Sequence, residues 1–134
     1  MIKLSKKWDY ALKAIIYISK HKDELLKIAE ISQKLSIPEA FLRRIINDFE
    51  KSWILKTIKW RNWGVLFEKE LNEINLYDIL STVWEDLNIA NCTSWHICNK
   101  EDVCLTTNVF KWLQKWFNWL LKLYSLDKII KNDN

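Results

Sequence analysis

Between residues 8 and 20 the apolar positions Tyr10, Ala11, Ala14, Ile15 and Ile18 recur three and four residues apart, the period of a helix with one buried face. Ser5 or Asp9 stands where a cap belongs, and His21 and Lys22 lie near the carbonyl end, where positive charge is favoured. After the polar break Lys22-Asp23-Glu24, a shorter stripe of Ile28, Ile31 and Leu35 predicts a second helix over 26–35. Ser36-Ile37-Pro38 predicts a turn, because Pro38 suits the first position of a following helix. That third helix runs to about residue 51, with Leu42, Ile45, Ile46 and Phe49 inward and Glu39, Arg43, Arg44 and Asn47 outward. Two short helices around a tight turn, the second presenting paired arginines, form a helix-turn-helix pattern.

The period then shortens. Ile54 to Lys59 and Val65 to Phe67 are β-prone runs flanking Trp60-Arg61-Asn62-Trp63-Gly64, which predicts a β-hairpin with a basic tip. A hairpin at this place reads as the wing of a winged helix. Asn75 to Leu80 opens a fourth helix that fades by Glu85-Asp86, and a polar, cysteine-bearing loop follows. From about 105 to 124 runs the longest helix, with Leu105, Val109, Leu113, Phe117, Leu120 and Tyr124 on one face, broadened by Trp112, Trp116 and Trp119. A helix of this kind leaves apolar surface exposed in a monomer, and pairing with a second copy is the economical solution. Residues 125–130 predict a last short helix. The fold expected is mainly α with a small β-hairpin: a winged helix-turn-helix domain over 1–86, a cysteine loop over 87–104, and a long C-terminal dimerisation helix with a short final helix over 105–134.

Charge adds direction to this outline. Residues 1–63 carry 14 Lys/Arg against 7 Asp/Glu, and residues 64–134 carry 7 against 10, so a balance of +7 faces one of −3. A basic N-terminal half fits a phosphate-rich partner. The first residues lack the apolar centre of a signal peptide, and no apolar run approaches the roughly 20 residues of a membrane span. Those features place the protein in the cytoplasm, where thiols stay reduced and serve more often as ligands or sensors than as staples. No nucleotide-binding loop and no acid/base pair points to an enzyme.

One glycine stands against nine tryptophans, where a usual share of about 7% would give some nine glycines. Several tryptophans also sit where the backbone asks for glycine. Trp53 follows the third helix at the place where a left-handed residue commonly ends it. Trp60 and Trp63 lie in the hairpin tip, which needs positive φ. Codons read as glycine through reassignment of UGA would account for Trp8, Trp53, Trp60, Trp63, Trp84 and Trp95, and an intact mass decides between that and a genuine aromatic cluster.

All three cysteines, Cys92, Cys98 and Cys104, lie in one loop with five residues between neighbours, and His96 stands between the first two. Thiolates are preferred ligands of iron–sulfur clusters, whereas these gaps do not match the Cys-x2-Cys knuckles of structural zinc. Three free thiols without a metal remain the alternative at this level. For DNA, Arg43 and Arg44 suit guanine, Asn47 suits adenine, and Glu39 lies on the same face. Lys59 and Arg61 on the wing reach phosphates or an adjacent minor groove. Ordinary solvation is the competing account of each of these side chains, and Glu39 equally suits a helix start.

Taken in order, Lys3 to Leu12, Ile28-Ala-Glu-Ile31, Lys59-Trp-Arg-Asn-Trp-Gly64 and the three cysteines before the long helix resemble the winged-helix regulator family that includes the iron–sulfur cluster regulator (IscR) and the nitric-oxide-sensing repressor (NsrR). The family's wing motif is basic and glycine-rich, so glycine is what the resemblance puts at positions 60 and 63. The resemblance implies a homodimer bound to a pseudo-palindromic promoter site in double-stranded DNA, and an iron–sulfur cluster, two-iron or four-iron, on Cys92, Cys98 and Cys104. It leaves the fourth ligand open. The cluster regulator has a histidine where this chain has Thr107, some nitric-oxide sensors use an aspartate matched by Asp9, and His96 is a third candidate. Two rival readings stand beside it: a cluster-free thiol switch that binds DNA, and a protein- or membrane-interaction module using the Trp-rich helix.

Overall fold

A computed structural model describes residues 5–59, 64–83, 87–93 and 103–132. Helix α1 (Lys6–Lys20) buries Ala11, Ala14, Ile15 and Ile18, the predicted stripe, while Tyr10 lies half-buried edge-on against Phe41 with ring centroids 5.5 Å apart. At its end the His21 backbone N–H donates to the Ile18 carbonyl, 3.1 Å away, and the His21 ring packs on Tyr17. Helix α2 begins only at Ile28 and ends at Leu35, because Leu26–Lys27 forms a strand, β1, in place of the first helical turn predicted there. Ser36 closes α2 in the left-handed conformation, φ 53°, and the Ser32 hydroxyl donates to the Ile37 carbonyl to fix the turn.

Helix α3 (Glu39–Lys51) places Leu42, Ile45, Ile46 and Phe49 in the core as expected, each essentially free of solvent. The chain leaves it through Trp53 in the left-handed region, φ 62°. Strands β2 (Leu55–Ile58) and β3 (Gly64–Phe67) pair antiparallel, with Leu55 opposite Phe67 and Ile58 opposite Gly64. Strand β1 adds to the other edge of β3, with Leu26 opposite Val65, so the expected hairpin is two strands of a three-stranded sheet ordered β1-β3-β2. A two-residue strand is too short to show a period of two, and this is why it reads as helix in the sequence. The tip of the wing, with Trp60, Arg61 and Trp63, lies outside the described residues.

A short 3-10 turn (Leu71–Glu73) leads to α4 (Leu76–Val83), whose start is capped reciprocally. The Asp78 N–H donates to Asn75 Oδ1 at 2.8 Å, and the Asn75 N–H donates to Asp78 Oδ2 at 3.2 Å. A second 3-10 turn (Asn91–Thr93) precedes α5 (Thr107–Leu123) and α6 (Leu126–Asn132). Helix α5 packs on α4, and α6 packs against α1. The junction between α5 and α6 is stitched to the start of α4: the Leu76 N–H donates to the Tyr124 carbonyl at 2.8 Å and the Leu126 N–H to the Ile74 carbonyl at 2.7 Å. Buried Leu126 joins the same core as α1 and α3. Among the described residues no helix is long and apolar enough to cross a membrane.

Candidate DNA-binding face and cysteine loop

The outward face of α3 follows from its inward one. With Leu42, Ile45, Ile46 and Phe49 fixed in the core, Arg44 and Asn47 emerge exposed and Arg43 emerges at the margin. Arg43 Nη2 donates to Glu39 Oε1 at 2.6 Å, one turn earlier. Such an exposed pair contributes about 0.3–0.5 kcal/mol, so it orients the guanidinium rather than holding the helix. The Thr57 hydroxyl on β2 donates to Glu50 Oε1 on α3 at 2.7 Å, which sets the wing against the helix. Lys7 of α1 reaches Asp48 at 3.3 Å and anchors the other side.

Between α3 and the wing opens a cleft of about 310 Å³ whose polar lining is Arg43, Arg44, Asn47, Glu50, Thr57 and Lys59. Four of the six side chains expected to meet DNA thus converge on one cleft. Glu39 stands outside it, tied to Arg43, and Arg61 lies outside the described residues.

The cysteine loop is described at its two ends. Cys92 is half-buried in the Asn91–Thr93 turn, and Cys104 is exposed three residues before α5; both thiols are free. A hydrogen bond between Cys104 Sγ and Thr106 Oγ1, 3.3 Å long, is the main reason the Cys104 thiol is lowered to a pKa of about 7. A thiolate is the form that binds iron, so this end of the loop suits a cluster ligand. Cys98 and His96 lie outside the described residues. Asp9, on the exposed side of α1, is held by Lys13 Nζ at 2.6 Å. Thr107 is only 4% exposed at the first turn of α5. No group of three His, Cys, Asp or Glu side chains close enough to hold a metal occurs among the described residues.

Helix α5 has two distinct faces. Its inner stripe, Thr107, Phe110, Gln114, Phe117 and Leu121, turns toward α4 and the cysteine turn. Phe117 therefore belongs to the covered side, not to the open face where the sequence pattern puts it. On the outer side Val109, Trp112, Trp116, Trp119 and Leu123 alternate three and four residues apart, and all are exposed. Trp112, Trp116 and Trp119 are about half exposed, at 57%, 50% and 53%, and stack edge to face with centroids 5.7 and 5.4 Å apart.

Residues 4–132 match the family described as Rrf2, iron-dependent transcriptional regulator. The chain belongs to the Rrf2 family. Members of known sequence include the HTH-type transcriptional regulator NsrR of Oceanobacillus iheyensis, 29% identical over 133 residues, which cover 97% of this chain and 90% of that protein. The HTH-type transcriptional regulator IscR of Pectobacterium atrosepticum is 25% identical over 132 residues, covering 98% of this chain and 80% of that protein. Among solved structures, CymR, the global cysteine regulator of B. subtilis, superimposes with a TM-score of 0.76 at 16% identity, over 98% of both chains. As an Rrf2 protein the chain is a DNA-binding transcriptional regulator.

The side chain that sequence reasoning missed is Gln114. It is the one amide on the inner stripe of α5, and a polar residue recurring in register with Phe110, Phe117 and Leu121 is the signal that would have found it.

Proposed function

We propose that this Rrf2 regulator acts as a homodimer whose promoter binding is controlled by an iron–sulfur cluster held by Cys92, Cys98 and Cys104. One observation carries the reading. Both described thiols sit at the helix bearing the exposed apolar ridge: Cys92 in a turn packed on α5, Cys104 just ahead of its first turn. The donor set fits, with two free thiols described and one of them held near a pKa of 7. A cluster bound there supplies reversible sensitivity to oxygen, nitric oxide or iron supply. The resemblance to regulators named IscR and NsrR supports the same assignment.

The chain's own residues divide the work. Arg43, Arg44 and Asn47 enter the major groove from α3, and Lys59 and Arg61 hold the backbone from the wing. The ridge Val109, Trp112, Trp116, Trp119 and Leu123 has the heptad spacing that pairs two helices, and it fixes two reading heads at a set separation. A two-fold dimer demands half-sites about one helical turn apart. A change at the cysteines is felt by α5 and shifts the population of head placements. With Thr107 where the cluster regulator has histidine, the fourth ligand falls to Asp9, given by the partner copy, or to His96.

A second reading is favoured by one observation, the exposed Cys104 thiol with its lowered pKa. It is a thiol switch without metal, in which the cysteines meet oxidants directly. Anaerobic purification followed by iron and sulfide analysis separates the two, since a colourless, iron-free protein favours the thiol switch. The same spectra for Asp9→Ala and His96→Ala assign the fourth ligand, and both candidates fail if neither variant alters the cluster.

A further inference from the structure

Gln114 is half-buried on the inner stripe of α5, where an amide without partners would cost stability. Its partners lie mostly in the segment that carries Cys92. Gln114 Oε1 accepts from the Ile89 N–H at 2.8 Å and from the Thr93 hydroxyl at 3.2 Å. Gln114 Nε2 donates to the Leu87 carbonyl at 3.1 Å and to Asn118 Oδ1 at 2.9 Å. Both amide hydrogens of Gln114 are therefore used, and its oxygen takes the Ile89 N–H together with a share of the single Thr93 O–H, which also points to the Ala90 carbonyl. Three of the four bonds cross more than twenty residues of sequence to the stretch around Cys92.

The stretch also carries a turn of its own. In that turn the Thr93 hydroxyl points to the Ala90 carbonyl at 2.8 Å and the Thr93 N–H donates to the same oxygen at 3.0 Å. The Thr93 hydroxyl thus belongs both to the turn and to the contact with α5. Cys92 lies one residue away and is half-buried.

We propose that Gln114 is the positioning residue that fixes Cys92 on the dimer helix and so presents it to the metal. This deepens the cluster reading and rests on it for the metal, but the placement of Cys92 can be measured without one. An aliphatic side chain at 114 leaves the Ile89 N–H and the Leu87 carbonyl without their partner and frees the turn. A glutamate keeps the acceptor bonds from Ile89 and Thr93 but turns a carboxylate oxygen toward the Leu87 carbonyl, so it retains only part of the attachment.

The experiment measures iodoacetamide labelling of Cys92 and Cys104, peptide by peptide, in reduced, metal-free protein. Gln114→Leu is expected to speed labelling of Cys92 about tenfold by raising local opening, while Cys104 stays unchanged as the internal reference. Gln114→Glu, which keeps the acceptor bonds and loses the donor to the Leu87 carbonyl, is expected to label Cys92 at a rate between wild type and Gln114→Leu. In anaerobically loaded protein, Gln114→Leu should lose iron to a chelator about tenfold faster, followed by visible absorption. An unchanged Cys92 rate in Gln114→Leu, or equal acceleration of both cysteines, overturns the proposal. Should Gln114→Leu not fold, Gln114→Met, nearer in length and also without the amide, takes its place: selective acceleration of Cys92 there supports the proposal and its absence overturns it. Wild-type protein without iron would sink the cluster reading and leave the labelling result to decide the role of Gln114.

Discussion

At Cys104 a neighbouring hydroxyl decides how much thiolate is present near neutrality. The Thr106 hydrogen bond favours the charged form, so the folded chain holds this proton less tightly than the unfolded chain. Its stabilising effect is complete above the ordinary thiol range and is lost as the pH falls through about 7. Labelling of Cys104 by iodoacetamide is expected to rise through a midpoint near pH 7, and Thr106→Val should move that midpoint upward. Trp53 is a second residue with a definite consequence. It is 70% exposed and left-handed, φ 62°, so its ring gains little packing while its Cβ is strained. Trp53→Gly is expected to stabilise the fold by about 1 kcal/mol, read as a higher denaturation midpoint, after the added flexibility of glycine is counted. The need for glycine at 53 was legible from the helix end alone. Trp8, by contrast, sits inside α1 and packs against the core, so its backbone asks for no glycine. Gln114 was not legible, because a lone amide in a helix shows its partners only once segments 87–93 and 107–123 are brought together.

Among the elements, α3 is the one whose sequence says most. Its four core residues alternate so regularly that the outward set of Arg43, Arg44 and Asn47 follows without a structure. Arg44→Ala is expected to cost about 1–3 kcal/mol of DNA binding and to relax preference at one base pair. Lys59→Ala should weaken all duplexes alike and reduce the salt slope by about 1. Titrations of a selected duplex and of random duplexes at several salt concentrations check both. Strand β1 shows the opposite case: Leu26 is buried through pairing with β3, and that partner lies nearly forty residues away. Helix α5 was legible in extent but not in orientation, since apolar residues occupy both sides of nearly every turn. Trp116→Glu, in the middle of the exposed ridge, is expected to give a folded monomer by light scattering with its helical circular dichroism retained. A dimer that persists in this variant would remove α5 as the pairing surface.

For the whole molecule, the cleft between α3 and the wing and the cysteine turn belong to one packed body. Helix α3 packs on α4, α4 packs on α5, and α5 carries the turn with Cys92. In the regulator proposed above, a displacement at the cysteines would reach α3 through these packed elements, and two copies paired along α5 would convert it into a change in head spacing. The winged fold and the inward and outward faces of α3 were readable from periodicity and turn residues. The fourth ligand was not, because Asp9 would have to come from a second chain and no pattern within one chain records that approach. The most direct measurement is the affinity of anaerobically purified protein for a duplex selected from a random pool, with iron and sulfide determined on the same sample, before and after chelation and in Cys92→Ala, Cys98→Ala and Cys104→Ala. Iron and sulfide in the wild type, lost in each variant, with affinity changing about tenfold between loaded and stripped protein, is the result expected for a cluster-controlled regulator. Iron-free wild type, or an affinity indifferent to both the metal and all three cysteines, would contradict it.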